Sequence, residues 1–240
     1  MIILHFSDLH DDAGHLLCMK NVCDAVKPDL VAVSGDMTSW VLDDPQNMAV
    51  MKRNCAFLEE LNSSHRVAFC SGNHEAWTAP DAAKHLNVFC PDGASRMLQK
   101  GEEQLIVSCF PYFDNDVVSR DVFSEEFSLL RKNREAGRVW LHHNPPWRSL
   151  TAWQGAGYAG SVALLHALKE RAPHFVLSGH YHMAPFNGGT SVERCFSTIC
   201  CNPGSTTARE GDEASASPPY ITIDTLARTA AWTPPGRLIC

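Results

Sequence analysis

The chain has 240 residues, 45% hydrophobic and 20% charged, enough to bury one sizeable core and too few for two full domains. Its net charge of −7 argues against a surface built to neutralise a nucleic-acid backbone, which needs clustered Lys and Arg, and leaves small anionic substrates open. No apolar stretch is long enough to span a bilayer, so a membrane partner is not expected.

Residues 1–240 are therefore read as a single domain. Met1 to Phe6 lacks the basic start and long apolar centre of a leader peptide, and Asp8 follows at once, so the segment reads as a first strand. Ala13 to Val26 spaces Leu16, Leu17, Val22, Cys23 and Val26 at helical intervals, and Pro28 stops it. Leu30 to Val33 is a second strand. Pro45 to Leu61, with Met48, Met51, Cys55, Leu58 and Leu61 three and four apart, is the clearest helix.

Arg66 to Phe69 is a strand, Asp81 to Leu86 a short helix, and Leu105 to Phe110 a strand closed by Pro111. A polar helix is expected over Ser124 to Arg134 with Phe123, Phe127 and Leu130 inward; Val139 to Leu141 is a short strand. Gly160 to Arg171 reads as a helix burying Val162, Leu165, His166 and Leu168, and Pro173 breaks it before the strand His174 to Leu177. Val192 to Cys200, Tyr220 to Asp224 and Thr229 to Trp232 then follow as consecutive strands, suggesting a second, largely antiparallel sheet packed on the first. Glu210 to Pro219, rich in small and acidic residues, is the expected mobile loop. Strands alternating with helices are the α/β pattern.

Ten cysteines show no C-x-x-C pair, and several, such as Cys70 and Cys109, sit inside apolar runs. They read as buried free thiols, and with no leader a cytoplasmic location is expected.

Five short segments carry the chemistry: Asp8-Leu9-His10, Gly35-Asp36, Gly72-Asn73-His74-Glu75, His142-His143 and Gly179-His180-Tyr181-His182. Each follows an apolar run, so all five are expected to emerge at one sheet edge, where open α/β sheets bind ligands. Asp8 and His10 are two apart, which in an extended segment turns both side chains to one side; His180 and His182 repeat the device. Asp36 follows a glycine that lets the backbone turn, and its two oxygens can bridge two ions. Asn73 adds a neutral carbonyl oxygen. Mixed oxygen and nitrogen ligation suits Mn, Fe, Zn, Co or Ni better than Ca. A pair of divalent ions roughly 3.5–4 Å apart would give a locally positive centre inside an acidic protein, suited to a phosphoester.

Taken singly, each segment has a plainer explanation as a cap, a turn or a surface histidine. In order, they resemble the calcineurin-like metallophosphoesterase family, whose pattern runs D-x-H, G-D, G-N-H-[D/E], H, G-H-x-H. The resemblance covers Asp8 to His182 and extends to Asn202-Pro203-Gly204-Ser205 and Pro218-Pro219-Tyr220-Ile221. It implies a four-layer αββα sandwich, two mixed β-sheets packed face to face with helices outside. It implies one ion on Asp8, His10, Asp36 and His182 and another on Asp36, Asn73, His142 and His180, Asp36 bridging. Mn is the first expectation for both ions. His74, outside both ligand sets, would act with Asp36 and Asn73 in catalysis, donating to a phosphoryl oxygen or to the leaving group. His143 would stand behind the ligands.

The chain departs from many members at Ser39, where an acid three residues after the bridging Asp orients the catalytic histidine. The activity implied is hydrolysis of a phosphoester by a hydroxide held between the ions and attacking phosphorus in line. A small-molecule phosphodiester or nucleotide is the favoured substrate; a phosphomonoesterase, a nuclease on the same site and a non-catalytic binding scaffold are the alternatives. Trp147 to Gly160, which carries Trp147, Trp153 and Tyr158, is a candidate lid or an anchored surface loop, and Phe110 to Asn115 a second candidate wall. Oligomeric state has no signature in the sequence.

Overall fold

A computed structural model describes residues 1–10, 12–38, 45–78, 85–113, 115–155, 157, 159–205 and 217–236. Ser39, Tyr158, Cys240, most of the expected helix Asp81 to Leu86 and residues 210–216 of the expected loop lie outside the described residues.

In chain order the elements are β1 (Ile2–Phe6), α1 (Ala13–Val26), β2 (Leu30–Val33), α2 (Pro45–Ser64), β3 (Val67–Phe69), α3 (Asn73–Thr78), β4 (Ser95–Lys100), β5 (Glu103–Phe110) and α4 (Arg120–Lys132). They continue as β6 (Gly137–His142), a 3₁₀ turn (Leu150–Ala152), α5 (Val162–Arg171), β7 (Phe175–Leu177), β8 (Val192–Cys195), β9 (Thr198–Cys201), β10 (Tyr220–Asp224) and β11 (Thr229–Thr233). The helix ends follow from local chemistry. Asp12 caps α1, its carboxylate accepting from Gly14 and His15 N–H, and Ser161 Oγ caps α5 through Leu164 N–H. Lys27 and Ala172 close these helices in the left-handed conformation just before Pro28 and Pro173.

The strands form two mixed sheets, one in the order β11-β10-β1-β2-β3 and one in the order β4-β5-β6-β7-β9-β8. Three apolar layers result. Ile3, Leu30 and Ala32 of the first sheet meet Val107, Val139, Leu141 and Leu177 of the second. Leu4, Phe6, Val31 and Phe69 face outward under Leu16, Met19 and Leu58 of α1 and α2; Trp140 and Val176 face outward under Val122, Leu164 and Leu168 of α4 and α5. Burial on both faces is why the central strands read as unbroken apolar runs. This is the four-layer αββα arrangement.

Several expectations change. The motif-bearing strands do not share one sheet: β1, β2 and β3 belong to the first and β6 and β7 to the second. The late strands do not make a sheet of their own either. Val192 to Cys200 turns at Phe196-Ser197 into a β8–β9 hairpin joined in parallel to β7, whereas β10 and β11 extend the first sheet from β1. Ser95–Lys100, not read as a strand in the sequence, pairs antiparallel with β5. Helix α4 starts a turn earlier than expected and buries Val122 and Glu126, with Phe127 exposed; the Glu126 carboxylate accepts from Trp140 Nε1 at 2.6 Å. On α5, Leu164, Ala167 and Leu168 are inward and His166 is exposed. Among the described residues every cysteine is free, and most are buried.

Candidate metal centre

The carboxyl ends of β1, β2 and β3 and of β6 and β7 converge from the two sheets, and the motif residues follow directly after them. The backbone there is not extended. Asp8, His10, Asp36 and His180 all have positive φ, at 55°, 44°, 53° and 66°. Four non-glycine residues in this uncommon region within one site mean that surrounding bonds hold a costly conformation. Asp8 N–H donates to Gly35 O and His10 N–H to Asp36 O, locking the first two motifs together. So the pairs Asp8/His10 and His180/His182 converge through left-handed turns, and not through the two-residue alternation of a strand. Gly35 shows how tight the packing is: its φ is +93°, and a Cβ there would lie 2.5 Å from Gly72 N and 2.7 Å from His143 Nδ1. A side chain on Gly72 would collide with the Asp36 carboxylate.

The donor atoms gather in two groups sharing Asp36. In one, Asp8, His10, Asp36 and His182 offer ligand atoms all within 4.8 Å of one another; in the other, Asp36, His143 and His180 do the same. His10 Nε2 stands 2.9 Å from His182 Nε2, which is 3.1 Å from Asp8 Oδ1. His143 Nε2 lies 3.1 Å from Asn73 Oδ1 and 3.2 Å from Asp36 Oδ2. The opposite ring nitrogens are held by carbonyls, His10 Nδ1 by Thr38 O at 3.0 Å and His143 Nδ1 by Ser34 O at 2.6 Å. A ring that donates Nδ1–H to a carbonyl turns its Nε2 lone pair toward the group centre, as outer partners do for metal-bound histidines. Such lone pairs facing one another and carboxylate oxygens are repulsive unless a cation lies among them. The donor set therefore fits divalent ions.

His142, expected as a ligand, stands in neither group. Its Nδ1 is held by Asn144 O at 2.7 Å and its ring lies near Phe110, 6.4 Å between centroids, away from both groups. The reason is strand parity: Val139 and Leu141 face the seam between the sheets and Trp140 faces the outer helices, so His143 and His142 continue to opposite sides. His143, expected behind the ligands, is inside the group.

The electrostatics agree. Burial opposes the charged form of Asp8, but His182, His143 and His10 outweigh it and hold its pKa well below the ordinary value. Asp36 is lowered too: burial opposes this, and His143 and His74 overcome it. Burial would lower His143, yet the Asp36 charge and hydrogen bond raise it to about 9; burial and the His143 charge push His180 down to about 4. His74 packs against His10, ring centroids 4.8 Å apart, with Nε2 3.6 Å from Asp36 Oδ2, while its N–H donates to Asp36 Oδ1 at 3.0 Å. Tyr112, from the second candidate wall, stands 5.9 Å from the His143 ring and 6.3 Å from that of His180.

Three contributors were given no role by the sequence. Glu75 is fully buried and accepts from the N–H groups of Gly72, Asp36, Met37 and Thr38, tying the second motif to the third. Burial, then the Asp36 charge, raises it to about 7 against the pull of those N–H donors. An acid directly after Asn73-His74 was the available signal. Asn202 Nδ2 reaches Thr151 O, Gly179 O and Tyr181 O at 2.8, 3.1 and 3.2 Å, and Ser205 Oγ donates to Asp8 O at 2.8 Å. The Trp147–Gly160 segment is anchored: Trp147 N–H donates to Ser161 O, Arg148 N–H to Ala159 O, and Tyr181 OH accepts from Gly160 N–H.

The family model for calcineurin-like phosphoesterases matches residues 1–184. The chain belongs to the calcineurin-like phosphoesterase family. It is accordingly a hydrolase acting on phosphoester bonds, from a metal-dependent family, and among its described residues no helix is long and apolar enough to cross a membrane. No curated protein matches it by sequence. Its fold is similar to that of TT1561 of Thermus thermophilus, with TM-score 0.65 and 15% identity, covering 97% of this chain and 98% of that one. A novel archaeal phosphodiesterase has TM-score 0.51 and 14% identity over 97% and 99% of the two chains. GAP50, the anchor in the inner membrane complex of Plasmodium, has TM-score 0.51 and 11% identity over 93% and 81%. One fold thus serves a phosphodiesterase and an anchor, so the residues of the site have to decide the chemistry.

Proposed function

We propose that this chain, working as one domain over residues 1–240, hydrolyses small phosphodiesters or nucleotide-type phosphoesters with two divalent ions, Mn first among the candidates. Asp8, His10, Asp36 and His182 would hold one ion and Asp36, Asn73, His143 and His180 the other, with His143 taking the place expected of His142. The observation that carries this reading is the pair of donor groups sharing the Asp36 carboxylate. When bound, the ions supply an activated water and neutralise charge on the phosphoryl oxygens.

The chain's own residues do the rest. Asp36 has one oxygen on His74 N–H and the other toward His143, so its orientation is set before substrate arrives. Glu75 holds the peptide groups around it. His74 is beside the shared carboxylate and in neither donor group, and it would donate a hydrogen bond to a phosphoryl oxygen or a proton to the departing alkoxide. The open side, at His180 and His182, is where the ester group would leave. The free, mostly buried cysteines fit a reducing compartment, and cytoplasmic location is proposed on that ground.

The test is a screen of metal-reconstituted protein against nitrophenyl mono- and diesters, cyclic nucleotides and single-stranded DNA, with metal content measured in parallel. Turnover of a diester with about two ions per chain supports the reading. A protein that stays metal-free in excess Mn, or cleaves only DNA, overturns it.

A further inference from the structure

A cavity of about 350 Å³ opens directly beside the ion-facing histidines, lined by Trp153, Gln154, His180, Tyr181, His182 and Met183. Because His180 and His182 belong to both the donor groups and this cavity, a group esterified to phosphorus at the centre has this space beside it. The size lies near the lower end for small-molecule sites, suited to one ring system and not to a polymer. Beyond the two histidines, the lining is an indole, a phenol, a thioether and one amide, with no Lys or Arg among the lining residues. Among the described residues, none of this lining offers a second phosphate a Lys or Arg. A flat aromatic ring would find a stacking partner in the indole, a polarisable contact in Met183 and a donor and acceptor in Gln154 for ring heteroatoms.

Trp153 is held in place. Its Nε1 donates to Asn187 O at 2.7 Å, and Gly189 packs so closely beneath it that a Cβ there would lie 2.7 Å from Trp153 Cβ. The turn that carries it is fastened by Asn202 to Thr151 O and by Thr151 N–H to Glu193. A surface already fixed loses little conformational freedom when a ring docks on it.

Resting on the phosphoesterase reading above, we propose that this cavity is the specificity site for the substrate: it receives a nucleobase-sized heteroaromatic ring carried by the phosphoester, stacked against Trp153 and hydrogen-bonded by Gln154. The metal centre alone places no demand on the organic group. This neighbouring cavity supplies one.

The test uses the full chain with two readouts. In the first, metal-loaded protein is given two nitrophenyl phosphodiesters that differ only in the second ester group, a nucleoside 5′-yl or a methyl. The ratio of their kcat/KM values is expected to favour the nucleoside, to fall roughly tenfold in Trp153→Ala, as loss of one stacking partner gives, and to be largely kept in Trp153→Phe. Gln154→Ala, an exposed change that does not threaten folding, is expected to lower the ratio less. In the second readout, saturation-transfer NMR on metal-stripped protein is expected to show contact to the base protons of adenosine in the wild type and not in Trp153→Ala. An unchanged ratio in both Trp153→Ala and Gln154→Ala, with no transfer to adenosine, overturns the assignment and leaves phosphoester hydrolysis standing. Transfer that depends on Trp153, in a protein that cleaves neither ester, supports the cavity and overturns the hydrolytic reading instead.

Discussion

Asp36, Asn73 and His143 are sealed at the seam of the two sheets, none more than 3% exposed, whereas His182 across Asp36 keeps a side chain 24% exposed. Both sides use histidines around the shared Asp36, but the sealed side adds the neutral Asn73 and the open side a second carboxylate, Asp8, and the surroundings differ. The sealed side has His143 clamped between Ser34 O and two oxygens, with Glu75 beneath holding the peptide groups. The open side is held by Asp8, whose oxygens meet His180 N–H and His182, and it borders the cavity of Trp153 and Met183. One half is therefore closed to solvent, and under the proposed function the other is the half that would meet substrate.

The change with the largest expected effect strikes both halves together. Asp36→Asn should abolish turnover and lower bound metal, because the shared carboxylate serves both groups; near-normal activity with two ions retained would remove Asp36 from the bridging position. Next is His74→Ala, which should keep its metal while turnover drops by roughly 10²–10⁴, the worth of a positioned acid or donor. Loss of metal in that variant would make His74 a ligand.

A third set separates the halves directly. His143→Ala should lose about one ion per chain and, in the metal-stripped protein, cost roughly 3–5 kcal/mol, since it leaves the buried Asp36 carboxylate without its partner. His182→Ala should lose the other ion at a smaller cost, because the Asp8 carboxylate keeps the His180 N–H and the His182 ring is itself partly exposed. His142→Ala should change metal content in neither half. Elemental analysis and denaturant melts check all three, and metal loss in His142→Ala with retention in His143→Ala would reverse the strand-parity argument.

The last expected effect is in pH. In metal-stripped protein His143 binds its proton more tightly folded, at about 9, than unfolded, at 6.5. Its contribution to stability is thus complete below pH 6.5 and is lost as pH rises through about 9. Ions that replace this proton should abolish the loss and release about one proton on binding near pH 7. Calorimetry in buffers of different ionisation enthalpy measures the release; a stability curve of the stripped protein that is flat from pH 6.5 to 9 would contradict the raised value.

Much of the site was legible because its chemistry is concentrated in short motifs that end apolar runs. Asp8, His10, Asp36, Asn73, His180 and His182 were all named from the sequence, and the structure brings them together. His142 and His143 could not be separated that way. Both faces of β6 are apolar, so no alternation reveals which neighbour of Leu141 faces the seam. Glu75 and Asn202 act through backbone groups distant in sequence, and such bonds leave no periodic trace. Ser95–Lys100 was missed because its residues are mixed in polarity and it gains its place by pairing with β5.

The amino-acid order by itself determined most of the element types, since helical and strand periodicities and the Asp, Ser and Pro residues that start and stop helices are local properties. It also determined which residue types could bind divalent ions. Which sheet each strand joins, which histidine of the adjacent pair turns inward and what lies beside the donor groups were decided only by tertiary structure. These depend on pairing and packing between segments up to the whole chain apart, as when β10 returns to lie against β1.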